Sequence, residues 1–154
     1  MKVEHKILCK SMMGKKVPYI VFNEQKAPKA IVIAIARQHP GESVGSWMMD
    51  GVMKRLEELP NNSIQWLIIP MMCVDGVILG NNRTGLAGFD YNRYWNLDEL
   101  NKRERTFPEI VSLLNLIKQI KRLHPRRPKL FLDLHGHSSQ PNIFAYGPPH
   151  EINT

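Results

Sequence analysis

A chain of 154 residues, 43% of them hydrophobic, can bury one core but not the cores of two ordinary domains. No stretch reaches the roughly 18 consecutive apolar residues of a membrane span, and the charged start Met1-Lys2-Val3-Glu4-His5-Lys6 leads into no signal-peptide core, so we expect a cytoplasmic protein without a membrane partner. The formal net charge of +7 favours acidic partners without choosing among them, and the two cysteines, Cys9 and Cys73, sit in apolar surroundings that suit free thiols better than a disulfide.

Glu4 to Cys9 and Val17 to Phe22 flank the turn-forming stretch Met13-Gly14-Lys15-Lys16 and predict a hairpin. Ala30 to Ala36 is apolar and β-branched without alternation, as in a strand covered on both faces. Ser43 then offers a helix cap, and Val44, Trp47, Met48, Gly51, Val52, Arg55 and Leu56 follow helical spacing up to Pro60. Ile64 to Ile69 is a second apolar strand. Met71 to Phe107 shows no sustained period, and loops of that length inside a compact domain are usually functional or disordered. Pro108 opens a helix that ends before Pro125; Lys129 to Leu134 is a third buried strand, and Asn142 to Tyr146 reads as a fourth.

Together these elements predict an α/β fold with a mixed, largely parallel sheet flanked by helices and preceded by a short β-hairpin. The basic run from Lys118 to Arg127 complements a helix end. It has no interleaved aromatics and no accompanying nucleic-acid motif, so no nucleic-acid partner is expected; that reading would rest on charge alone.

Two polar clusters fall at strand ends, where open α/β sheets place their sites: Arg37-Gln38-His39-Pro40-Gly41-Glu42 and His135-Gly136-His137-Ser138-Ser139. A His and a Glu three residues apart in a Pro-Gly turn can face one centre. A second His from the neighbouring strand end, His135 or His137, would complete a His₂Glu set with a fourth position left for water, an arrangement used by catalytic zinc. Calcium or magnesium would favour oxygen ligands throughout.

The long middle loop adds Asp75-Gly76-Val77, Asn82-Arg83 and Gly88-Phe89-Asp90-Tyr91-Asn92-Arg93-Tyr94-Trp95 in order. With His39-Pro-Gly-Glu42, the following Ser43 and Trp47, and Asp133-Leu-His135-Gly-His-Ser138, the chain resembles the zinc metallocarboxypeptidases of the carboxypeptidase A superfamily. The likeness is strongest to their cytosolic carboxypeptidase branch, which includes deglutamylases. It covers nearly the whole chain, with residues 1–26 resembling the end of a small β-domain and residues 27–154 the N-terminal part of the catalytic domain.

The resemblance implies Zn²⁺ held by His39, Glu42 and His135, with Asp90 behind the first histidine. It implies Asn92 and Arg93 on the substrate's terminal carboxylate, and Arg83 on the oxyanion as a catalytic and substrate-binding group. The chemistry fits these roles: a planar guanidinium binds a carboxylate bidentately, and with Asn92 it can tell a chain end from an internal peptide bond.

The implied activity is removal of C-terminal residues, glutamate among them, from peptides or proteins, with glutamate-rich C-termini as partners. The family's general-base glutamate and a substrate-contacting tyrosine lie further along than this chain extends, and Glu151 does not match that glutamate. The alternative is therefore a catalytically inactive module that binds zinc or peptide C-termini. Asp133 reads as a strand-end residue capping a neighbouring loop, Trp47 and Trp66 as core residues, Trp95 as packing beneath the carboxylate clamp, and the methionine pairs as core fillers. His5, His124 and His150 read as surface histidines.

Overall fold

Three apolar runs form strands with the bounds that their sequence predicts: β3 (Ala30–Ala36), β4 (Ile64–Ile69) and β5 (Lys129–Leu134). The computed structural model describes residues 2–59, 63–96, 100 and 105–147; Pro60, His150 and Glu151 lie outside them. The opening hairpin is β1 (Val3–Lys10) and β2 (Lys16–Phe22). Among the described residues, helices run over α1 (Ser43–Glu58), α2 (Val74–Ile78) and α3 (Pro108–Leu123), with a 3₁₀ turn at Tyr91–Arg93 and Leu100 also helical.

The five strands form one mixed sheet in the order β1-β2-β4-β3-β5. β1 with β2 and β2 with β4 are antiparallel, whereas β3 runs parallel to both β4 and β5, so the hairpin shares a sheet with the rest of the fold. β3 is covered on both faces, which explains its unbroken apolar run. Ile31, Ile33 and Ile35 face a core with Ile110 and Leu113 of α3, and with Tyr91 and Phe107. Ala34 and Ala36 face α1 through Met49 and Leu56, the small residues falling on that side. Each fully buried Ile on β3 contributes about 1.5–3 kcal/mol of hydrophobic stabilisation.

Five expectations are corrected. Lys129 to Leu134 is a strand but not a buried one: β5 stands at the edge of the sheet, with Leu130 and Phe131 exposed. Ser43 is the first helical residue of α1; the N-cap is Glu42, and no side chain caps the helix because the Glu42 carboxylate is engaged elsewhere. Asn142 to Tyr146 forms no strand: Asn142 takes a left-handed φ of 63°, and the segment is exposed, with Phe144 and Tyr146 against the His137 ring. Trp47 is 74% exposed, since the buried stripe of α1 runs through Gly45, Met49 and Leu56. Met12 and Met13 are exposed at the hairpin turn and fill no core.

The parallel register sets Ala36 of β3 beside Leu134 of β5. His39 follows the first strand by three residues and His135 the second by one, so both polar clusters open from the same end of the sheet, as crevice sites in open α/β sheets do.

Candidate metal centre

The loop after β3 is shaped by Arg37, whose φ of 55° turns the chain sharply at the strand end. Its guanidinium then closes the turn, Nε donating to the Pro40 carbonyl at 2.9 Å and Nη1 to Ser46 Oγ at 2.9 Å. At the start of α1, Gly45 permits a close approach to β5: a Cβ there would lie 2.7 Å from the Leu134 carbonyl oxygen. That contact holds the helix start carrying Glu42 against the strand end carrying His135.

The result is a cluster in which one ligand atom from each of His39, Glu42 and His135 lies within 4.8 Å of the others. His39 Nδ1 is 2.7 Å from Glu42 Oε1, and His135 Nδ1 is 2.9 Å from Glu42 Oε2. The opposite nitrogen of each ring meets a second carboxylate: His39 Nε2 is 3.0 Å from Asp90 Oδ1, and His135 Nε2 is 2.7 Å from Asp133 Oδ2. With each Nε2–H donating to its carboxylate, both Nδ1 lone pairs face Glu42, the tautomer that metal ligation requires.

This donor set of two imidazoles and one carboxylate, with outer carboxylates fixing both rings, fits a zinc ion. Of the two strand-end histidines it is His135 that faces Glu42; His137 is exposed and takes no part in the cluster.

The electrostatics follow from the same contacts. Burial works against ionisation of Glu42, but the Gly136 N–H at 2.8 Å and the His39 ring together hold its carboxyl below the ordinary value. Asp90 behaves likewise, burial being outweighed by the Asn92 N–H, His39 and Arg83. The hydrogen bond to Asp133 raises His135 against its partial burial.

Asp90 ties the centre to the middle loop. Its Oδ2 accepts from Arg83 Nε at 2.7 Å, and its Oδ1 accepts from the Asn92 N–H at 2.8 Å, capping the 3₁₀ turn. Arg83, Asn82, His137 and Ser138 join His39, Glu42 and Gly136 around a cavity of about 540 Å³. Asn92 and Arg93 follow Asp90 on that turn but do not line the cavity; Arg93 is exposed, with Nη1 donating to the Asn92 carbonyl.

Two members of the site escape a reading of the sequence. Asp133 at the strand end orients His135 as well as accepting from the neighbouring loop, where the buried Gln38 donates to Asp133 and accepts from Trp95 Nε1 of the middle loop. Trp95 thus joins the site through Gln38, edge-on to Phe131. The signal was present in part, since β5 points Asp133 and His135 to the same face by strand alternation.

A zinc carboxypeptidase family model matches residues 2–151 of the chain. The chain belongs to the zinc carboxypeptidase family. Cytosolic carboxypeptidase 2 of Danio rerio is 37% identical over 92% of the chain and that of Homo sapiens 36% over 91%, yet the chain spans only 20% and 16% of those relatives.

Among solved structures, a metallo-carboxypeptidase from Burkholderia cenocepacia aligns with 90% of the chain and 38% of its own, at 28% identity and a TM-score of 0.75. A metallo-carboxypeptidase from Pseudomonas aeruginosa, solved with (2-guanidinoethylmercapto)succinic acid, aligns with 88% of the chain and 35% of its own, at 29% identity and a TM-score of 0.70. The fold is thus that of metallocarboxypeptidases.

Proposed function

We propose that this chain supplies the metal-binding and carboxylate-recognising part of a zinc-dependent carboxypeptidase acting on the C-termini of cytosolic peptides or proteins, glutamate among the residues removed. The observation that carries the reading is the convergence of His39, Glu42 and His135, each histidine backed by its own carboxylate, beside a cavity that Arg83 also lines. His39, Glu42 and His135 would hold the ion. Zinc supplies Lewis acidity and activates water for attack on a carbonyl.

The chain's own residues take the following parts. Asp90 and Asp133 fix the two rings in the ligating tautomer. Arg83 is placed at the cavity wall by Asp90, where its charge offsets negative charge growing on a scissile carbonyl oxygen. Asn92 and Arg93 would take the terminal carboxylate; Arg93 is exposed, and its Nη1 donates to the Asn92 carbonyl, which keeps the two clamp residues together. The Pseudomonas relative holds a succinic acid derivative, itself a dicarboxylic acid, which fits carboxylate recognition. The net charge of +7 and the likeness to cytosolic carboxypeptidases favour acidic C-termini.

One observation favours a second reading, in which this chain alone binds zinc and peptide C-termini without cleaving them. The described carboxylates at the centre, Glu42, Asp90 and Asp133, each engage a histidine, and the oxygen among them without a partner, Asp133 Oδ1, is buried, which leaves none of them placed to take a proton from water.

Elemental analysis after metal stripping and reloading tests the centre: one zinc per chain, lost in His39→Ala and in His135→Ala, is the expected result. An absence of zinc from the folded parent would overturn the ligand assignment. Release of glutamate from a glutamate-ended peptide by the zinc-loaded chain then separates cleavage from binding alone.

A further inference from the structure

The 3₁₀ turn that carries Asn92 and Arg93 is held at two points. One is Asp90, which accepts from the Asn92 N–H and joins His39 and Arg83. The other is Tyr91, which the roles given above leave without a part. Its side chain is 2% exposed and stands edge-on to Phe107 with centroids 5.5 Å apart. Gly85 makes room for that ring, because a Cβ there would fall 2.5 Å from Tyr91 Cε1.

The Tyr91 hydroxyl reaches Glu109 on the first turn of α3, donating to Oε2 at 3.0 Å. Glu109 is wholly buried, and its other oxygen has no hydrogen-bond partner among the described residues. A wholly buried carboxyl with an unsatisfied oxygen, on a helix turn whose Phe107 and Ile110 are also buried and with the Asp75 carboxyl nearby, is a costly choice for a position that a leucine would fill with less penalty. What an apolar residue could not do there is accept the Tyr91 hydroxyl. That hydroxyl is the side-chain anchor of the residue between Asp90 and Asn92.

We propose that Glu109 is a positioning residue for the carboxylate clamp, acting through the Tyr91 hydroxyl to fix the turn that presents Asn92 and Arg93. Asp90 locks the turn to the metal centre and Glu109 locks it to α3, so the distance between clamp and centre is set from both sides. The inference rests on the reading of Asn92 and Arg93 as that clamp.

The test uses the zinc-loaded full chain and two acetylated peptides ending in glutamate, one with a free α-carboxylate and one amidated, with both Kd values measured by calorimetry. Arg93→Gln sets the acid-over-amide ratio that remains once the clamp has lost its guanidinium. In Tyr91→Phe, which keeps the ring and its packing, and in Glu109→Leu, the acid-over-amide ratio is expected to fall about tenfold towards the Arg93→Gln value, with zinc stoichiometry unchanged. Tyr91→Phe keeps the test open should Glu109→Leu fail to fold. A parent-like ratio in Tyr91→Phe overturns the positioning role while leaving the clamp in place. A parent chain whose ratio already equals that of Arg93→Gln overturns the clamp itself, and the inference with it.

Discussion

His135 and Asp133 stand two residues apart at the end of β5, and the imidazole Nε2 lies 2.7 Å from the carboxylate. The pair mirrors His39 and Asp90, but it is built from one strand, whereas His39 borrows its carboxylate from the middle loop 51 residues away. Removing such an outer carboxylate frees the ring to rotate and to take the wrong tautomer. Asp133→Ala should therefore weaken zinc binding about 10- to 100-fold without abolishing it, read by competition with a chromophoric chelator. Unchanged affinity would mean that strand geometry alone orients His135.

Gly45 sits inside α1, where an alanine ordinarily stabilises a helix by up to about 1 kcal/mol. Here the added Cβ would meet the Leu134 carbonyl oxygen at 2.7 Å, and backbone cannot move aside as a side-chain tip can. The clash should reverse the usual sign. Gly45→Ala is expected to lose about 1–3 kcal/mol in denaturant unfolding. It should also weaken zinc binding, because the helix start bearing Glu42 is pushed off the strand end bearing His135.

The strand bounds and the two long helices were legible because β-branched runs and helical periods are local signals, and Pro108 marks a helix start by its own ring. The orientation of α1 was not. Val44 and Trp47 keep helical spacing with Met48, Gly51 and Arg55, a stripe turned away from the buried Gly45, Met49 and Leu56, and the approach of Gly45 to β5 decides which stripe turns inward. The cluster of His39, Glu42 and His135 could be anticipated from two strand ends and a familiar motif order. The part played by Gln38 could not, since it depends on three segments meeting at one amide: the loop after β3, Trp95 and Asp133. The segment after Ser139 also misled, because a short apolar run such as Ile143 to Tyr146 satisfies a strand pattern whether or not a neighbouring strand exists to pair with it.

The exposure of Trp47 has an energetic counterpart. A tryptophan that gives up little contact on truncation costs little, so Trp47→Ala should change unfolding free energy by no more than about 0.5 kcal/mol. Leu56 lies on the same helix but packs with Met49, Ala34 and Ile68 under the sheet. Leu56→Ala is expected to cost about 2–5 kcal/mol in the same urea titration. Equal losses at the two positions would show that α1 is rotated from the orientation described.

Glu109 also predicts how stability varies with pH. Burial raises its carboxyl from the ordinary 4.5 to about 7, with Asp75 adding to the rise and Tyr91 opposing it. Between those values the folded chain keeps a proton that the unfolded chain releases, so stability is fully present below about pH 4.5, falls as pH rises towards 7, and levels off above it. Each tenfold change in proton affinity corresponds to about 1.4 kcal/mol, which makes the loss across that window on the order of 3 kcal/mol. Glu109→Gln cannot ionise and should remove this slope. Urea midpoints from pH 4.5 to 7.5, with chelator present so that metal binding adds no proton linkage of its own, provide the comparison. The two curves should diverge with rising pH, the variant becoming the relatively more stable protein. Parallel curves would place Glu109 ionised in the fold throughout, with its charge compensated by a contact other than the Tyr91 hydroxyl.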